Sequence, residues 1–341
     1  MPSVAKENLV EVRPERVGGV STPPDGPFDL SAFSQALTVQ PTRLSSERIE
    51  FDLIGVDASV ANAIRRVLMA EVPTVAIENV YIFNNTSIIQ DEVLAHRLGL
   101  VPILIDPERI EFRGGTTEAT EENTLVFMLN AKCEKNKKAA KGEKDEEKKY
   151  IESNIYASHM QWDPKGDQEN MFGSAPPRAA NPDILLAKLR PGQELAIELH
   201  AVKGVGRDHA KFSPVATASY RLLPHIDIAA GGIPKEHRAK FIKCFPEGVI
   251  GLRKRKSDGE EEVYVKNPRK DTVSREVLRH KEFEDKVKLG RVRDHFLFDI
   301  ESTGPYAPER LLPAAIRCLT SKVDTVLKSL DNLEADLGIA S

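Results

Sequence analysis

Glu92 and His96 stand four residues apart in DEVLAHRLGL (91–100). One helical turn separates them, so both side chains fall on one face and two ligands for a metal ion are conceivable. No third ligand accompanies them, and no metal site is assigned. The histidines, at 96, 159, 200, 209, 225, 237, 280 and 295, are scattered. Cys133, Cys244 and Cys318 lie far apart without a Cys-x-x-Cys pair. They read as buried or partly buried thiols of a reducing compartment. No Ser or Cys nucleophile motif and no phosphate-binding loop appears. KGVGRD (203–208) is too short for a dinucleotide fingerprint, and no helix signal follows it. The side chains offer contact chemistry rather than turnover.

That contact chemistry concentrates in DASVANAIRRVLMAEVP (57–73). The spacing predicts a short helix with Ser59 as N-cap and Pro73 as stop. Val60, Ile64, Val67 and Leu68 cluster within about 100° on a helical wheel, as a core face does. Asn62, Arg65, Arg66 and Met69 form the other face, with Ala61, Ala63 and Ala70 on the flanks. The bland reading is two solvated arginines. The sharper one is a rigid docking face, because guanidinium groups offer planar, multi-donor contacts and are enriched at interface hot spots.

Other partners are disfavoured by composition. The net charge is −4 over 341 residues, whereas a surface that grips nucleic acid usually carries a basic excess. RKRK (253–256) is the compact basic patch, and an acidic run follows it at once, so it reads as a solvated loop or a localisation signal. Direct specific DNA binding is not expected. No run of about 18 apolar residues is present, so no membrane span is expected. The first twenty residues lack the apolar core of a secretion signal.

Stepping outward, residues 1–40 are rich in Pro and Gly and read as an extended or disordered tail with at most a short element. SSERIEFDLIGV (45–56) alternates Ile49, Phe51 and Leu53 as a strand does. From 74 to 216 the chain is β-rich, with strands in TVAIENVYIF and NTLVFMLNAKC. The run 136–149 is a charged, solvated loop. ILLAKLRPGQELAIELHAV (184–202) reads as a hairpin around a type II turn at Arg190–Gln193, its second strand placing Leu195, Ile197, Leu199 and Ala201 on one face. RKRKSDGEEE (253–262) is a charged loop and DHFLFDIEST (294–303) a strand.

A long helix closes the chain. Leu312, Ile316, Leu319, Val323, Val326, Leu330 and Leu333 are spaced 4, 3, 4, 3, 4, 3, a heptad stripe narrower than most core helices show. It suits packing against one other helix, from this chain or from another. Pro313 fits such a helix only in its first turn or at a kink.

VANAIRRVLMAEVPTVAIENV and the following NNTSIIQDEVLAHRLGLVPI resemble the signature of the α-like subunits of multisubunit DNA-directed RNA polymerases. LLAKLRPGQELAIELHAVKGVGRDHAKFSPVATASYRLLP, KDTVSREVLR and KLGRVRDHFLFDIESTG look like the version shared by eukaryotic polymerases I and III. The resemblance spans about 45–335. It implies an α+β fold: a discontinuous dimerisation domain (41–73 plus 217–335) with an inserted β-rich domain (74–216).

The resemblance also implies a non-catalytic scaffold of nuclear polymerases I and III, serving rRNA, tRNA and 5S RNA transcription in the nucleus and nucleolus. It makes the heptad helix the seam with a smaller α-like subunit. It turns Asn62, Arg65, Arg66 and Met69, with Glu92, His96 and Arg97, toward the second-largest subunit or small zinc-ribbon subunits. Nucleotidyl transfer needs paired metal-binding aspartates, and no such motif is present. The alternative within the family is the polymerase II or archaeal counterpart. The polymerase II relatives carry a zinc-binding cysteine cluster in the insert, and some archaeal ones an iron–sulfur cluster. Cys133 stands alone there, so neither metal nor cofactor is expected and the polymerase I/III version is favoured.

Overall fold

The structure, a computed structural model, describes residues 9–18, 27–113, 118–139, 145–254 and 260–336. In chain order the elements used below are strand β1 (Leu9–Val12), helix α1 (Leu30–Ala36), strands β2 (Thr38–Leu44) and β3 (Arg48–Ile54), helix α2 (Ala58–Ala70), strand β4 (Thr74–Asn85), helix α3 (Asp91–Gly99) and strands β5 (Thr124–Lys132), β6 (Asn154–Tyr156), β7 (Gln161–Asp163), β8 (Leu185–Lys188), β9 (Glu194–Gly204) and β10 (Val215–Ile228). They continue with β11 (Ile250–Lys254), β12 (Glu261–Val265), β13 (Val287–Ser302) and helix α4 (Pro308–Asp336). The class is α+β.

Packing divides the chain into two units. The first comprises the described parts of Met1–Arg43, Glu50–Ala63 and Ser219–Asp299; the second comprises those of Leu44–Ile49, Ile64–Ala218 and Ile300–Ser341. The sequence reading grouped 217–335 together. Here residues from Ile300 onward pack instead with the β-rich segment, because the root of α4 is buried there, as described below.

In the first unit, β13 pairs with β1 and β3, β3 with β2, and β10 also joins β13. Phe51 on β3 stacks on Phe298 of β13, with ring centroids 5.0 Å apart. Phe241, Phe283, Val249 and Val277 build a second cluster with Val12, Val287 and Leu289. Strand β1 corrects the reading of 1–40 as a tail. Its four residues pair antiparallel with Leu289–Val292, which satisfies backbone groups and buries Val12. Helix α1, capped by the Asp29 carboxylate on the Ser31 and Ala32 N–H groups, corrects it further. Residues 1–8 and 19–26 of that segment lie outside the described residues.

The expected loop at 253–262 holds part of a hairpin. Arg253 faces Glu262 across β11 and β12, and the two side chains pair at 2.7 Å. Residues 255–259, including half of RKRK, are outside the described set, as are 140–144 of the lysine-rich run.

The second unit is built on a sheet ordered β7–β5–β9–β4. Leu195, Ile197, Leu199 and Ala201 of β9 are almost completely buried, and α3 adds Leu94 and Leu98 to the same core. The expected hairpin at 184–202 is half right. The turn exists: the Gln193 N–H donates to the Arg190 carbonyl at 2.9 Å, and Gly192 adopts φ +94°. The strands it joins do not pair with each other. Both edges of β9 are taken by β4 and β5, so β8 pairs with β6 instead. Cys133 lies in this core, where burial pushes its thiol up.

Candidate docking surfaces

Helix α2 starts two residues earlier than the sequence suggests. Asp57, not Ser59, caps it: the Ser59 N–H donates to Asp57 Oδ1 at 2.8 Å. Backbone and hydroxyl bonds from Ser59, with the Ala58 N–H, hold the Asp57 carboxyl below the usual range. A carboxylate both accepts these bonds and complements the positive end of the helix. Ala61, Ile64, Val67 and Leu68 form the buried face. Val60, expected among them, is 38% exposed in the first turn, and Ala61 takes its place.

On the other side Asn62, Arg65 and Met69 are half-buried and Arg66 is exposed. Arg65 Nη1 lies 3.8 Å from Met69 Sδ, so the two are neighbours along one ridge. The far end of the helix is fixed by KGVGRD (203–208), the segment too short to be a dinucleotide fingerprint. The Arg207 N–H donates to the Ala70 carbonyl at 2.8 Å. A Cβ on Gly206 would sit 2.1 Å from the Met69 carbonyl oxygen, and one on Gly204 would sit 2.7 Å from the Phe212 ring. Gly206 of KGVGRD therefore permits close backbone passage against α2 and Gly204 leaves room for the Phe212 ring, packing roles that the sequence pattern did not reveal.

Helix α3 is entered through Asn85, whose Nδ2 donates to Asp91 Oδ1 at 2.7 Å and to the Ile89 carbonyl at 2.9 Å. Asp91 and Glu92 occupy its first turn, His96 and Arg97 its last, which suits the helix dipole. Glu92 and His96 are exposed, and the His96 ring lies 6.4 Å from that of His209, edge to face. Among the described residues no three His, Cys, Asp or Glu side chains gather as metal ligands would. Arg97 is committed inward. Its Nε and Nη2 donate to the carbonyls of Leu186 and Leu185 at 3.1 and 2.7 Å, clamping α3 to β8.

Helix α4 has two parts. Its root is held by buried Leu311, Ala314 and Ala315. Ion pairs flank them, from Arg310 to Asp106 at 3.2 Å, Arg317 to Glu108 at 2.7 Å and Lys322 to Glu71 at 2.9 Å. Pro313 lies in the second turn rather than the first, within a helix that continues past it. From Thr320 to Leu333 every residue is exposed. Of the stripe, Leu312 and Leu319 are half-buried, while Ile316, Val323, Val326, Leu330 and Leu333 are 48–60% exposed. At about 100° per residue, the stripe lies roughly a quarter-turn from the buried root face. The unit that holds the helix does not cover it.

One buried polar cluster had no sequence signal. Asp52, 3% exposed on β3, meets Arg269 and His295, and the His295 Nε2 lies 2.8 Å from Asp52 Oδ2. Asp52 stands more than two hundred residues from both partners along the chain, in a polar slot of an alternating strand.

The model of the RNA polymerase Rpb3/Rpb11 dimerisation domain matches residues 50–323. The subunit RPAC1 of DNA-directed RNA polymerases I and III from Saccharomyces cerevisiae is 48% identical over 310 residues, covering 90% of this chain and 91% of the relative. The Mus musculus protein of the same description is 46% identical, covering 92% and 90%. Subunit 3 of polymerases II, IV and V from Arabidopsis thaliana matches at 30%, covering 91% and 96%.

The chain belongs to the α-like subunit family of RNA polymerases I and III. For this α-like chain the matched span takes in α2, α3 and α4 as far as Val323. The exposed stripe of the α-like chain thus begins inside the dimerisation domain and runs three heptad positions, Val326, Leu330 and Leu333, beyond it.

Proposed function

We propose that this chain is a non-catalytic assembly subunit of nuclear RNA polymerases I and III. It pairs with a smaller α-like subunit through α4 and docks the second-largest subunit through the Asn62, Arg65, Arg66 and Met69 ridge of α2. In that setting it serves rRNA, tRNA and 5S RNA synthesis, in the nucleus and the nucleolus. The carrying observation is the apolar stripe of α4, exposed at Ile316, Val323, Val326, Leu330 and Leu333 on a helix whose root is anchored. Burying what remains exposed of Ile316, Val323, Val326, Leu330 and Leu333 would contribute on the order of 5 kcal/mol gross, more than surface charges offer. The names of the relatives support the polymerase I and III setting, and their higher identity favours it over polymerase II.

Glu92 and His96 on α3 are read as further contacts, with the second-largest subunit or a small zinc-ribbon subunit. Arg97 acts there by holding α3 in place.

The decisive experiment is expression of the chain alone and together with the smaller α-like subunit. Aggregation alone and a soluble stoichiometric pair together are expected. A well-behaved monomer with no affinity for that subunit would overturn the reading.

A further inference from the structure

Beyond the two helix faces, the second unit has a concavity of about 440 Å3 with an unusual division of character. Its apolar lining comes from Leu104, Ile105 and Phe172, and two prolines, Pro176 and Pro305, add rigid wall. Arg109 and Arg178 also line it, and both are exposed. The backbone fixes where they stand. Arg178 faces Leu104 and Ala179 faces Ile103 in a short antiparallel ladder, which the Ala180 N–H extends by donating to the Pro102 carbonyl at 2.8 Å. Arg109 Nη1 donates to the Met171 carbonyl at 2.9 Å, which orients that guanidinium.

The one carboxylate in the lining is already engaged. Asp106 pairs with Arg310 at 3.2 Å and caps its own turn through the Glu108 N–H. No carboxylate among the described residues pairs with Arg178. The concavity therefore presents positive, planar donors beside an apolar surface, in a size range that holds a few side chains.

We propose that this concavity docks an extended segment of another protein chain, one in which an Asp or Glu stands next to an apolar residue. The carboxylate pairs with Arg178 and Arg109, where a planar two-oxygen acceptor matches the guanidinium fork. The apolar neighbour rests on Leu104 and against the prolines Pro176 and Pro305. A nucleic-acid strand fits less well: repeated phosphates would want a basic track, and this lining offers two arginines, an acid and apolar surface. The inference stands apart from the polymerase reading, since it concerns only the chemistry of the segment captured.

The test is a selection of random 12-residue displayed peptides on the full-length chain, kept with its pairing subunit where solubility requires it. Selected peptides are then titrated by fluorescence anisotropy. The expected result is enrichment of Asp or Glu beside an apolar residue and a loss of affinity of tenfold or more with Arg178→Glu. Arg178→Lys should retain part of the binding, and affinity should fall as salt rises. Among the described residues the Arg178 side chain has no partner to lose, so Arg178→Glu should fold; an unchanged melting temperature checks this. Failure to select any peptide, selection without acidic enrichment, or equal binding by the Arg178→Glu chain would each overturn the proposal.

Discussion

Arg269 holds Asp52 through two parallel hydrogen bonds, Nη1 to Oδ2 at 2.5 Å and Nη2 to Oδ1 at 2.8 Å. Burial works to raise the Asp52 carboxyl, but Arg269 and His295 outweigh it and hold it below the usual range. A carboxyl lowered in the folded state stabilises above its unfolded pKa of about 3.9. That stabilisation is lost as pH falls through the folded value. Acid unfolding of the first unit should therefore begin below about pH 4 and be steeper than in Asp52→Asn. At neutral pH the same substitution should cost about 3 kcal/mol, the low end for breaking a buried pair because Arg269 keeps some solvent. Chemical denaturation at pH 7 and pH 3.5 measures both.

The α4 stripe separates folding from pairing. Val323 is 58% exposed, so Val323→Asp should shift the stability of the chain by less than about 0.5 kcal/mol. Pairing with the smaller α-like subunit should fail, because a carboxylate would enter the seam unpaired. Leu319→Asp should also block pairing, with an added cost to folding because Leu319 is half-buried. Co-purification that survives either substitution would contradict the seam.

Leu311 makes the converse case. It is fully buried at the root of α4, so Leu311→Ala should destabilise the chain itself by about 2–5 kcal/mol. A melting temperature unmoved by this change would mean that the root is not anchored as described.

Arg66 is the sharper test of the α2 face, since it is exposed while Arg65 leans on Met69. Arg66→Ala should leave folding intact and weaken loading of the second-largest subunit, with Arg65→Ala/Arg66→Ala losing about 2 kcal/mol or more of binding. The α-like pair should remain whole in both. Unchanged recovery of the second-largest subunit in pull-downs would remove the docking role.

Gly206→Ala should cost about 1–3 kcal/mol, because the added methyl meets the Met69 carbonyl and either the loop or the end of α2 must shift. Its effect should appear in thermal unfolding before any binding partner is added.

Local pattern disclosed what is local. Alternation placed Leu195, Ile197, Leu199 and Ala201 in one core, and the 3.6-residue period found Ile64, Val67 and Leu68 and the stripe of α4. Pairing was hidden wherever it joins distant residues. The turn at 190–193 follows from Pro and Gly, but nothing nearby says that β9 is already flanked by β4 and β5. Strand β1 has four residues and no period of its own, and its order comes from Leu289–Val292, far along the chain. Asp52 looked like an ordinary polar alternate until Arg269 and His295 closed on it. The α2 ridge was readable because spacing alone defines a helix face. The inward bonds of Arg97 were not, since they end on backbone carbonyls that carry no sequence signature.

The distal half of α4 is a short rod with water on every side. Isolated helices of that length are marginal in water. On the proposed pairing, coiling of this segment and capture of its companion reinforce each other, so a surplus copy would fray into a sticky, protease-ready tail. Synthesis of this chain in excess of its companion should therefore shorten its own lifetime, which makes the helix a gauge of supply as well as a joint.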